Sequence, residues 1–172
     1  QQIAFASDRH GNLDVCVMPA TGGKATRLTH HSSHDLPTDF SPEHKQVLFS
    51  SARTDNATTS QFPTGRQAEL YTISTEGGTP RMVSTIPGSE ARYDKEGNKI
   101  LYRDEKAYEI DLRKHDTSAF ARDIWLHDLA TNQHTQLTTF QGGDHNPVWS
   151  DAGKIFYLSE DGNNNFNVWQ MD

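Results

Sequence analysis

The chain repeats itself. Ile3-Ala4-Phe5-Ala6-Ser7, Val47-Leu48-Phe49-Ser50-Ser51, Ile100-Leu101-Tyr102-Arg103-Asp104 and Ile155-Phe156-Tyr157-Leu158-Ser159 share one order of side chains: an aliphatic residue, a second apolar residue, an aromatic, then a small or polar tail. Short apolar runs of this kind, bounded by turn residues, read as strands. After each comes an acid- or amide-led stretch: Asp14-Val15-Cys16-Val17-Met18, Glu69-Leu70-Tyr71-Thr72-Ile73, Asp123-Ile124-Trp125-Leu126-His127 and Asn167-Val168-Trp169-Gln170-Met171. Their alternation with period two marks strands as well. Turns at Gly22-Gly23, Gly77-Gly78 and Thr131-Asn132 then lead into Arg27-Leu28-Thr29, Met82-Val83-Ser84 and Gln136-Leu137-Thr138, a third strand in each unit. Ahead of three of the aromatic strands stands a further element that closes on an aromatic and a turn: Phe40-Ser41-Pro42, Tyr93-Asp94-Lys95 and Trp149-Ser150-Asp151. A full unit therefore runs through four strands, a, b, c and d.

The aromatic of strand b recurs at Phe5, Phe49, Tyr102 and Tyr157, a spacing of about 44 to 55 residues whose lower end is the length of a four-stranded propeller blade. The extra length of the middle units falls between strands b and c, from Phe49 to Tyr71 and from Tyr102 to Trp125, where about eleven residues are inserted without disturbing strand register, as befits a surface loop. The expected fold is all-β, a partial β-propeller of about four blades and about 14 strands, built from four-stranded antiparallel blades and open at both ends. Its blades are expected at residues 1–30 (strands b to d), 36–85, 89–139 and 145–172 (strands a to c), within one segment spanning 1–172. An antiparallel sandwich is the alternative, although it needs no repeated turn chemistry.

Strand a is missing before Ile3 and strand d after Met171, which would leave open sheet edges. The expectation is a segment of a larger ring, or edges that pair with another copy in a homo-oligomer. Sparse aliphatic content together with a net charge of −7 would otherwise suggest disorder. A repeat protein tolerates so thin a core per unit because neighbouring units complete it. With 16 Lys and Arg against 23 Asp and Glu, no basic stripe is expected, so nucleic acid is not an expected partner. No apolar run approaches the roughly 18 residues of a membrane span. One cysteine, Cys16, cannot form an internal disulfide, which leaves the compartment open, with the cytoplasm slightly favoured over the periplasm.

Asn146-Pro147-Val148-Trp149-Ser150-Asp151-Ala152-Gly153 and Ser7-Asp8-Arg9-His10-Gly11-Asn12-Leu13-Asp14 resemble the propeller repeats of TolB-type proteins. Arg113-Lys114-His115-Asp116-Thr117-Ser118, leading into Arg122-Asp123-Ile124-Trp125-Leu126, resembles a run in the amino-terminal propeller of tricorn-like serine peptidases, bacterial members in particular. Asp116 stands where that run would carry a second His. The resemblance implies a noncatalytic propeller that docks or gates peptide substrate and packs on the remaining domains of a larger peptidase, whose nucleophilic Ser and its His lie elsewhere. A TolB-type protein-interaction scaffold and a metal-dependent propeller enzyme are the alternatives.

Strands that run up and down in turn bring b-to-c loops and d-to-a loops to one face. The insertions Arg53 to Gln67 and Lys106 to Ala121 gather there with the linkers His30-His31-Ser32-Ser33-His34-Asp35 and Gly142-Gly143-Asp144-His145. On that face Arg66, Arg113, Lys114, His115, Asp116, Arg122, Asp144 and His145 are the candidates for binding a peptide or protein partner, because a guanidinium fork suits a carboxylate. His31, His34 and Asp35 have metal-ligand chemistry, but a loop does not fix their geometry, and solvated histidines are the default. No cofactor is expected. Cys16 stands where the other units have Tyr71, Trp125 and Trp169, so it reads as a small buried residue. Gly-x-Ser-x-Gly, Walker and His-Glu-x-x-His signatures are all missing, so no catalytic residue is expected in this segment.

Overall fold

The computed structural model describes residues 1–54, 67–106, 121–162 and 165–172. Among these are 14 strands and no helix, arranged in four antiparallel sheets. The first sheet holds β1 (Gln2–Ser7), β2 (Asp14–Pro19) and β3 (Thr26–Arg27). The second holds β4 (Asp35–Phe40), β5 (Gln46–Ser51), β6 (Glu69–Ser74) and β7 (Arg81–Ser84), and the third β8 (Gly88–Tyr93), β9 (Lys99–Asp104), β10 (Ile124–Asp128) and β11 (Gln133–Gln136). β12 (Asp144–Trp149), β13 (Ile155–Ser159) and β14 (Asn167–Met171) make the fourth.

The repeat aligns residue for residue across the strands. Phe5 faces Cys16, Phe49 faces Tyr71, Tyr102 faces Trp125 and Tyr157 faces Trp169. Alternation then sends neighbouring side chains to opposite seams. Val47 and Phe49 join Val15, Val17 and Leu28 between the first two sheets, whereas Leu48 joins Leu70, Ile100 and Tyr102 in the next seam. The last seam is smaller, with Leu101, Ile124 and Ile155 buried and Leu137, Trp149 and Tyr157 packed on them. The three a strands, β4, β8 and β12, stand side by side, and each carries a register shift: Pro37/Asp39, Ser89/Arg92 and His145/Val148. At two of these bulges Glu90 and Asn146 both take a positive φ of 52°.

Recurrent hydrogen bonds rivet each sheet to the next. The amides of Asp35, Gly88 and Asp144, each the first residue of an a strand, donate to the carbonyls of Leu13, Ala68 and Arg122 at 2.8, 2.7 and 2.8 Å. Each acceptor is the residue just before Asp14, Glu69 or Asp123. The d strands differ from the sequence expectation. β3 stops at Arg27 and β11 at Gln136, because Thr29 and Thr138 turn their hydroxyls inward to accept the amides of Val15 and Ile124, each at 2.9 Å. Those hydroxyls replace a ladder bond, and both threonines are buried.

Candidate functional site

Register places one transverse row of residues at the end of the blades that carries the insertions. Ser7 faces Asp14; Asp35 faces Ser51, which faces Glu69; Gly88 faces Asp104; Asp144 faces Ser159, which faces Asn167. Asp123 joins Asp104, donating its amide to the Asp104 carboxylate at 2.8 Å. Asp14, Asp35, Glu69, Asp104, Asp123 and Asp144 are all buried, so the rim holds a belt of carboxylates withdrawn from water. Buried carboxylates need hydrogen-bonding or cationic partners.

Most of them have such partners. Arg27 lies 2.7 Å from Asp14. Arg53 grips Asp35 with both arms, Nε to Oδ1 at 3.1 Å and Nη2 to Oδ2 at 2.6 Å, and its guanidinium lies over the rings of Phe49 and Tyr71 at 5.1 and 5.5 Å. Glu69 accepts from the Thr54 hydroxyl at 2.6 Å. Lys106 reaches both Asp123 at 2.5 Å and Asp104 at 3.4 Å, and donates to the Ala121 carbonyl at 2.7 Å. Burial works against the Lys106 charge, but the two carboxylates outweigh it and hold the ammonium above its ordinary pKa. Asp123 is itself pushed up, by burial first and by the Asp104 charge as well, against the opposing pull of Lys106.

Asp144 is the exception. It is wholly buried, no cation among the described residues lies within ion-pair distance, and neither oxygen has a well-formed hydrogen bond. Burial raises its pKa, with Asp123 and Asp161 adding to the rise, while the nearby Ser159 and Thr138 hydroxyls pull it back. Beside it opens a cleft of about 410 Å³ lined by Thr138, Phe140, Asp144, Tyr157, Ser159 and Asp161, among others.

Next to this cleft, Arg103 crosses from β9 to the following blade. It contacts Nδ1 of His145 at 2.6 Å, Glu90 at 3.1 Å and the Ser89 hydroxyl at 3.3 Å, while Glu90 accepts the Asn146 amide at 2.7 Å. An arginine donates only, so Nδ1 of His145 is the acceptor and Nε2 carries the ring proton. The His145 ring also meets Phe166 edge-on at 5.3 Å.

Of the residues singled out from sequence, Asp144 and His145 sit together at the start of β12 and Arg122 joins them through its carbonyl. Arg66, Arg113, Lys114, His115 and Asp116 lie outside the described residues. His31, His34 and Asp35 are engaged elsewhere: Nδ1 of His34 accepts the Leu13 amide and Nδ1 of His31 the Ser33 amide, each at 3.0 Å, while Asp35 is held by Arg53. Among the described residues no group of three or more His, Cys, Asp or Glu is arranged to hold a metal ion. Asp14, the acid that opens the first c strand, pairs with Arg27. Sequence reasoning passed over Arg53, Arg103 and Asp161. The signal was available for two of them: two residues past the tail of strand b the chain reads Arg9, Arg53, Lys106 and Asp161.

A four-sheet, radially repeated all-β chain with a polar rim is a segment of a β-propeller. The whole chain, residues 1–172, matches the tricorn protease N-terminal beta propeller domain, and it belongs to that family. Among solved structures it is similar to TolB from Acinetobacter baumannii (17% identity, TM-score 0.69, covering 100% of this chain and 38% of that one). It is similar also to the tricorn protease (16%, TM-score 0.58, 96% and 16%) and to an oligogalacturonate lyase in complex with manganese (12%, TM-score 0.67, 99% and 46%). The chain thus spans well under two thirds of each of these proteins, and at such identities the likeness shows the fold alone. No curated protein matches the sequence significantly.

Proposed function

We propose that this propeller docks peptide and guides it to the catalytic domains of a tricorn-like serine peptidase, without contributing a catalytic residue. The observation that carries the reading is the match of all 172 residues to the N-terminal propeller of the tricorn protease. The chemistry of the chain supports it. Cys16, the one thiol, is buried and burial pushes its pKa up, which suppresses the thiolate a nucleophile needs. The rim offers what an extended peptide requires instead: the Arg103–His145–Glu90 cluster and the bulged a strand beside it. The test is steady-state hydrolysis of a decapeptide by the full-length gene product. His145→Ala is expected to raise KM severalfold with kcat unchanged. Loss of kcat on changing a serine of this chain would overturn the reading, and a full-length product that binds peptide without cleaving it would give the TolB-type scaffold instead.

A further inference from the structure

Three blade junctions can be superposed by register, and each poses the same electrostatic problem at the same place. The first junction carries Thr29, Asp35, Phe49 and Ser51, and there the Arg53 fork is fixed by both oxygens of Asp35 while its face lies over the Phe49 and Tyr71 rings. At the second, Gly88 replaces the acid on strand a, Asp104 supplies one on strand b, and Lys106 stands where Arg53 stood. The acid has moved and the cation has moved with it. At the third junction Thr138, Asp144, Tyr157 and Ser159 reproduce the positions of Thr29, Asp35, Phe49 and Ser51, but the next position in the pattern is Asp161.

Replacing a cation by an acid leaves Asp144 buried with no counter-charge among the described residues, and places a second carboxylate at the mouth of the cleft. We infer that this cleft is an arginine pocket, which receives the guanidinium of an arginine side chain in a bound peptide much as the first junction receives Arg53. The inference rests on the peptide-docking reading and names the side chain that reading would select. The recognition elements are present in the chain. The paired oxygens of Asp144 match a guanidinium fork. Tyr157, in register with Trp169, supplies the aromatic wall that Phe49 and Tyr71 supply to Arg53. Asp161, exposed, adds charge where the side chain enters. A lysine would satisfy the charge but not the fork, so arginine is favoured.

The experiment titrates acetyl-Gly-Arg-Gly-amide into the full-length protein by calorimetry, against the same peptide carrying citrulline, which keeps the shape and removes the charge. The arginine peptide is expected to bind at least about tenfold more tightly, a difference of about 1.4 kcal/mol. Asp161→Arg would rebuild the first junction: it should abolish arginine-peptide binding and raise the unfolding temperature, which also shows that the variant folds. Asp144→Asn should lose the preference for arginine over citrulline. Equal binding of the two peptides removes the pocket while leaving peptide docking in place. Binding of neither overturns both, and arginine binding unchanged in Asp161→Arg assigns it to another place and overturns the pocket.

Discussion

At the seam between the first two sheets Phe49 and Tyr71 stack with ring centroids 5.5 Å apart, and at the next seam Tyr102 and Trp125 hold the same register. A short distance along the same strands, the rim triplets read Asp35–Ser51–Arg53, Gly88–Asp104–Lys106 and Asp144–Ser159–Asp161. The seams vary conservatively and the rim does not. Apolar burial is non-directional, so any large side chain of suitable volume fills a seam position. Charges removed from water must be matched partner by partner, so a change at one rim position demands a change at another. Two junctions satisfy that demand with cations among the described residues, Arg53 and Lys106, and at the third no described cation stands within ion-pair distance of Asp144.

The largest effect should come from breaking the matched rim. Arg53→Ala strands the Asp35 carboxylate in a site from which water is excluded, at an expected cost of about 3–5 kcal/mol in urea unfolding of the full-length protein. Adding Asp35→Asn should recover much of that loss. A cost below about 1 kcal/mol would place this pair with exposed ion pairs and undo the contrast between rim and surface.

An intermediate effect tests whether junctions are equivalent where their residues are. Thr29→Val and Thr138→Val each remove a buried acceptor from a backbone amide, of Val15 and Ile124 respectively, and each should cost about 1–3 kcal/mol. Similar values are expected. A twofold difference or more would show that the third junction, with its open cleft, relaxes where the first cannot.

The smallest effect is a slope. Burial raises the folded pKa of Asp144, so the folded state binds a proton more readily than the unfolded chain does. The stabilisation from this group is complete below the unfolded value of about 4 and is lost as pH rises through the higher folded value. Asp39 and Asp123, also raised by burial, act in the same direction. Asp144→Asn should therefore flatten the decline of stability above about pH 4 without abolishing it. An unchanged slope would remove Asp144 from the account.

Much of the fold was legible because the information was local. The b-strand aromatics, the acid or amide opening each c strand and the turn that follows it in three of the blades are each marked by a few neighbouring residues, and successive blades restate them. The site was legible only in outline. Asp144 and His145 could be placed on the inserted face from strand direction alone. Their partners could not: Arg103 lies 42 residues from His145, and Arg53 lies 18 from Asp35. Asp35 looked like a metal ligand beside His31 and His34 because sequence neighbours were all that could be compared.

The sequence by itself determined the strand order, the blade period and the apolar register, since alternation and turn chemistry act over short stretches of chain. Tertiary structure alone decided which carboxylate meets which cation. Those contacts join strands and loops of one blade that are separated along the chain, as Arg53 is from Asp35 and Arg103 from Glu90, and a buried charge is settled by whatever the fold brings within about 4 Å of it.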